Sequence, residues 1–112
     1  MSKVIVKNHA RTFAARVDAG VRTAVQRAGQ SIYTRSQQSV PVDTGTLKSS
    51  AQVEPVKGAA GQYTGQVHYE TYYALYVEMG TSKMSAQPYL VPAAKFTEQT
   101  FKADIKRVMG AL

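Results

Sequence analysis

With 112 residues, 44% of them hydrophobic, the chain suits a single domain (residues 1–112) with a modest core and is too short for two ordinary ones. It has no cysteine, which excludes disulfides, thiolate chemistry and Cys-ligated zinc. The 14 basic and 7 acidic residues leave a net charge of +7, a field that attracts nucleic acid or an acidic protein surface. That excess sits early: residues 1–40 hold Lys3, Lys7, Arg11, Arg16, Arg22, Arg27 and Arg35 against Asp18 alone.

The opening segment, Met1 to His9, contains only a three-residue apolar stretch and lacks a signal-peptide core. No apolar run reaches the roughly 18 residues of a membrane span. A soluble protein without membrane contact is therefore expected. From Arg11 to Gln38 the spacing predicts a long helix. At about 100° per residue, Phe13, Val17, Val21, Ala24, Ala28 and Ile32 form one stripe. Arg11 and Arg22 fall on one flank of it and Arg16 and Arg27 on the other, a basic face whose plain reading is solvation. Gly20 and Gly29 weaken the helix, and two shorter helices broken near Gly29 are the alternative. The helix should stop before Val40-Pro41.

Pro41 to Leu47 reads as an ordered turn, with Asp43 and Thr44 able to bond nearby amides and Gly45 free to take a positive φ. Leu47 should anchor the next segment to the core. Ala51–Val56 and Gln62–Tyr69 then alternate as strands of a hairpin around a flexible turn at residues 57–61, with Pro55 marking an edge or a strand end. Tyr72–Gly80 is ambiguous in period. A short helix closed by Gly80, with Tyr73, Tyr76 and Val77 on one face, is favoured over a third strand. Residues 81–88 have no core pattern and read as an exposed loop. A last amphipathic helix should begin at Pro92 and run to the C-terminus, with Phe101, Ile105, Val108 and Leu112 on its apolar stripe.

Catalysis requires titratable groups held together with perturbed pKa values, and the sequence offers few. His9 lies in the basic start, and His68 falls on the polar side of a strand, where a surface position is expected. Asp43, Glu54, Glu70 and Glu78 sit in different elements without paired spacing. Asp43-Thr44-Gly45 lacks calcium-ligand companions, and Gly58-Ala59-Ala60-Gly61 lacks the lysine of a phosphate loop. No enzymatic activity, no metal and no cofactor are therefore expected. Seven tyrosines, five of them between Tyr63 and Tyr76, suit either an aromatic core or a surface covered on assembly. A small nucleic-acid-binding module, pairing arginines with phosphates and tyrosines with bases, is the rival reading.

Three stretches in order, Pro41-Val42-Asp43-Thr44-Gly45-Thr46-Leu47, Tyr73-Ala74-Leu75-Tyr76-Val77-Glu78-Met79-Gly80-Thr81 and Gln87-Pro88-Tyr89-Leu90-Val91-Pro92-Ala93, resemble the small head–tail joining or tail-completion proteins of long-tailed bacteriophages and prophages. Val91 departs from the pattern, since such proteins often carry arginine there. The resemblance implies a non-enzymatic part of the virion neck between head connector and tail tube, made in the host cytoplasm. It would act as a homo-oligomeric ring contacting the connector or stopper and the tail terminator, with passing contact with genomic DNA, or else serve as a tail terminator subunit itself. It also points to Tyr73, Tyr76, Glu78, Gly80, Thr81, Gln87, Pro88 and Tyr89 as interface residues, to which the exposed loop adds Lys83 and Met84. Glu78 would cap or bridge to a basic neighbour, in this copy or the next, and residues 81–88 would order on contact. The expected fold is α+β: a long N-terminal helix, a small antiparallel sheet of about three strands, and a C-terminal helix packed on it.

Overall fold

The computed structural model describes residues 2–7, 15–41, 45–59 and 62–110, with side chains in the first helix described from Val17 onward. In chain order the elements are β1 (Ser2–Lys7), α1 (Ala15–Ser39), α2 (Thr46–Ser49), β2 (Ala51–Ala59), β3 (Gln62–Tyr69), α3 (Ala74–Met79) and α4 (Leu90–Gly110). The three strands form one antiparallel sheet in the order β1-β3-β2. Helices α1 and α4 lie on one side of it, so the architecture is α+β as the hydrophobic pattern requires.

Helix α1 runs unbroken through Gly20 and Gly29, because packing outweighs their poor helix propensity. Its inner stripe is Val17, Val21, Ala24, Ala28 and Ile32, all buried, joined by Val25 and, less obviously, by Ser36. Phe13 and Arg11 lie outside the described residues. Gly20 has a packing role: a Cβ there would stand 2.8 Å from Cγ1 of Val108 on α4, so the glycine lets the two helices approach. The helix ends one residue before Val40-Pro41. Of the turn after it, Gly45 holds φ at 74° and Leu47 is buried, while Asp43 and Thr44 lie outside the described residues.

The third strand is β1, and the ambiguous segment at 72–79 forms a helix. Three apolar residues flanked by lysines carry no conclusive strand signal. They become a strand because β3 offers an antiparallel partner, with Val4 opposite Val67 and Val6 opposite Gly65. Strand β2 is the other edge, with Pro55 inside a register shift between Glu54 and Lys57, where a missing N–H costs no ladder bond. It continues to Ala59, through residues expected to be turn. Gly58 at φ 135° brings its Cα so close to Gln62 that any side chain would collide with the Gln62 carbonyl. Alternation puts Val6, Tyr63, Gly65, Val67 and Tyr69 under the helices. Helix α4 begins two residues before Pro92, and its Phe101, Ile105 and Val108 pack against the core edge. Leu112 lies outside the described residues.

At Gly65 the backbone of β3 passes beneath α1. A Cβ there would lie 3.3 Å from Cγ1 of Val25, already a tight contact. Gly65→Val should lower unfolding free energy by about 1–3 kcal/mol, because overpacking outweighs the gain in strand propensity. Urea denaturation checks this; a variant as stable as the parent would show that α1 does not approach the sheet this closely.

Candidate interaction surface

The tyrosines divide between core and surface. Tyr69 and Tyr89 are fully buried and meet edge to face, their ring centroids 4.7 Å apart. Each hydroxyl has a partner, as burial demands. Gln37 Nε2 donates to the Tyr69 hydroxyl at 2.9 Å, which in turn lies 2.6 Å from Ser36 Oγ. This explains a serine on the inner face of α1. The Tyr89 hydroxyl donates to the Ala74 carbonyl at 2.9 Å and lies 3.4 Å from Ser2 Oγ. Burial pushes the Tyr89 hydroxyl up to about 12 and raises that of Tyr69 as well. Tyr89, expected at an interface, thus faces inward as a core residue of this fold.

Glu78 is also buried, at 6% exposure. Its Oε1 accepts from the amides of Leu90 at 2.8 Å and Tyr89 at 3.4 Å, and its Oε2 accepts from Val91 at 3.3 Å. The carboxylate therefore caps the first turn of α4, where unpaired N–H groups and the helix dipole favour an anion. Of its two expected roles, the structure shows the cap. No basic side chain pairs with it among the described residues.

This clasp joins the two ends of the loop at 80–88. The Gly80 amide donates to Tyr76 O at 2.7 Å, and the Gln87 amide donates to Val77 O at 2.8 Å. Between them Thr81 and Met84 exchange backbone bonds of 2.8 and 3.3 Å across a tight turn. Gly80 sits at φ 79°, and a Cβ there would come within 2.8 Å of the Ala86 amide nitrogen. Only glycine fits that position. All residues from 81 to 88 have exposed side chains, including Thr81, Lys83, Met84, Gln87 and Pro88, yet the backbone is folded without a partner. A contact would act on side chains the loop already presents.

Helix α3 has two faces. Ala74, Val77 and Glu78 turn inward, with Tyr73 half-buried beside them, whereas Tyr76 points away from its expected companions Tyr73 and Val77. Tyr72, Leu75, Tyr76 and Met79, spaced i, i+3, i+4 and i+7, are exposed by 86, 46, 53 and 69%. That spacing makes a single apolar stripe on solvent. Apolar side chains concentrated like this mark association surfaces. The sequence shows the period but not the side that is free.

The basic face is only partly visible. Arg22 and Arg27 are exposed on α1, Arg16 is described in its backbone alone, and Arg11 lies outside the described residues. Arg35 stacks over the otherwise exposed Phe96, 3.3 Å from its ring centre. His68 corrects an expectation. It is on the sheet face away from the helices but only 5% exposed, because Gln66, Glu54 and Glu70 gather around it. Gln66 Nε2 donates to its Nδ1 at 3.1 Å, leaving Nε2–H to face Glu70 closely and Glu54 at 3.7 Å. Glu54 and Glu70, in separate elements by sequence, are thereby brought to one imidazole. Among the described residues no group of three or more acidic, histidine or cysteine side chains is arranged to hold a metal ion. No described helix is long and apolar enough to cross a membrane.

Compared with known proteins, residues 6–80 match the family model described as Bacteriophage HK97-gp10, putative tail-component. The match takes in the turn at 41–47 and the segment 73–80 and stops short of residues 87–93. No curated protein and no solved structure matches the chain.

The clasp and the buried hydroxyls each have a measurable consequence. Glu78→Gln, which puts an amide donor against amide donors, should cost about 1–3 kcal/mol in thermal or urea unfolding; an unchanged midpoint would mean that the carboxylate does not cap α4. A folded-state tyrosine pKa raised above the ordinary 10.0 means stability complete below pH 10 and lost as pH rises toward about 12. Titration of stability over that window should show a shallower loss in Tyr89→Phe than in the parent, and parallel curves would contradict the assignment.

Proposed function

The chain belongs to the HK97-gp10-like family of phage tail components, and from that membership we propose that it is a structural neck protein, joining the head connector to the tail tube of a long-tailed phage or prophage. The family itself gives the coarser statement, a tail-related structural role in the virion. The finer reading is supported by the outward stripe Tyr72, Leu75, Tyr76 and Met79 beside the preformed loop 81–88. An apolar stripe held on a clasped helix suits repeated contact with identical or related subunits, since little entropy is lost when a rigid surface docks. In this reading the copies form a ring, in which symmetry multiplies individually weak contacts. Tyr73, Tyr76, Gly80, Thr81, Lys83, Met84, Gln87 and Pro88 form or support the contact, with Glu78 and Tyr89 holding it from within.

Partners on either side of the ring are the connector or stopper and the tail terminator. The exposed Arg22 and Arg27 on α1 favour an accessory contact with genomic DNA in the channel, electrostatic and therefore salt-sensitive. No chemical step is part of this role.

The decisive measurement is assembly itself. Particles made without this protein should accumulate as separate full heads and finished tails in electron micrographs. Tyr76→Glu combined with Met79→Glu should reproduce that defect while leaving the isolated protein's melting point close to the parent's, because both side chains are on solvent. Joined virions made without the protein would end the neck assignment, and joined virions from the double variant would end the role of the α3 stripe.

A further inference from the structure

The two edges of the sheet are not equivalent. β2 is protected against strand addition by Pro55 and by the register shift between Glu54 and Lys57. β1 has neither device: its ladder to β3 is regular from Ser2 to Lys7, and among the described residues it pairs on that side only. Alternate residues along its other edge therefore present N–H and C=O groups that no described strand pairs.

Beside this edge runs an open groove of about 350 Å³. Four consecutive β1 residues, 4 to 7, line it, so it follows the edge of the strand and not one face alone. Its walls are apolar, with Val4, Val6, Ile32, Val91, Ala94 and Phe101 facing one another across it. Ile5 and Val91 remain 43 and 45% exposed at its mouth. The charges at the rim are mostly basic. Lys7 and Lys95 line the groove without an ion pair among the described residues, whereas the acid there, Glu98, is held by Lys102 at 3.1 Å.

We propose that this groove is a docking site for an extended segment of another protein, which adds to β1 as a fourth strand with apolar side chains inward and acidic ones at Lys7 and Lys95. Main-chain bonds to the free edge supply affinity, and the apolar walls with the lysine rim supply the choice of sequence. Charge opposes a second copy pairing through its own β1: the chain carries +7, and that strand would bring Lys3 and Lys7 to the lysine rim. The groove is a different surface from the α3 stripe, so its occupant does not depend on the neck assignment and is expected for any tail component with this edge.

The test uses the full-length protein and a short fluorescent peptide alternating valine with glutamate, with a valine–lysine peptide as the opposite probe. The acidic peptide should bind, and backbone amides of residues 2–7 should gain hydrogen-exchange protection and shift in NMR spectra. Val91→Glu and Lys95→Glu, both at exposed positions, should each weaken binding by about tenfold or more, as like charges at a contact do, whereas Lys57→Glu on the other edge should not. Protection of the parent's amides decides the matter even if a variant unfolds. Equal binding of the basic peptide, shifts confined to β2 or α3, or no binding at millimolar peptide would each overturn the proposal. Self-association of the protein abolished by Val91→Glu would also overturn it, by making a second copy the occupant.

Discussion

A single buried carboxylate organises the half of the molecule that meets solvent with apolar side chains. Glu78 is on a six-residue helix too short to be stable alone, and it reaches across to the first turn of a helix twelve residues on. Removing an anion from water is costly unless hydrogen bonds replace the lost hydration. Here three amides and the positive end of α4 do so, and those amides would themselves be unsatisfied without it. Each side of the contact resolves the other's desolvation. The result is that α3, the loop and the start of α4 are bonded to one another, with Gly80 permitting the tight return that the loop requires.

The tyrosine pair beneath this clasp works in the same direction. Tyr89 belongs to the end of the loop, yet its hydroxyl bonds to the carbonyl of Ala74 at the start of α3 and approaches Ser2 on β1. Tyr69 ties the central strand to α1 through Ser36 and Gln37. Because the rings contact each other, the position of α3 relative to the sheet is set by directional bonds as well as by apolar packing. Rings burying this much area with both hydroxyls satisfied leave few alternative arrangements. That core is what holds α3 with its outer stripe on solvent.

Legibility in the sequence tracks the strength of local signals. Helix α1 is readable because its apolar residues keep one period over 25 positions, and the hairpin because two alternating runs flank a glycine-rich turn. β1 escapes such a reading because Val4-Ile5-Val6 is short and owes its conformation to β3, sixty residues away. His68 is misjudged from sequence for a related reason. Alternation correctly gives the face, but its cover comes from Glu54 and Glu70, whose approach depends on strand register. Tyr89 and Glu78 stand out by their motif and not by burial, and a motif cannot distinguish a residue that makes a surface from one that holds it. The side of α3 left free depends on where α4 and Tyr89 lie, which local periodicity does not contain.

Charge separates the two apolar surfaces by the company each keeps. Basic residues concentrate in the first forty positions and along α4, so the β1 groove lies in a positive field, with Lys7 and Lys95 at its rim. The stretch from Glu70 to Pro88 carries Lys83 as its only cation against Glu70 and Glu78, and Glu78 is buried. Contacts between identical chains of net charge +7 are opposed over roughly a Debye length, about 8–10 Å in ordinary salt. That opposition is weakest where the local surface is close to neutral. If copies of this protein meet one another, the α3 stripe is the place where repulsion is smallest and apolar burial largest. The groove suits a partner of opposite sign for the same reason. Under the proposed function, charge placement would keep contacts between copies and contacts with other proteins on separate surfaces.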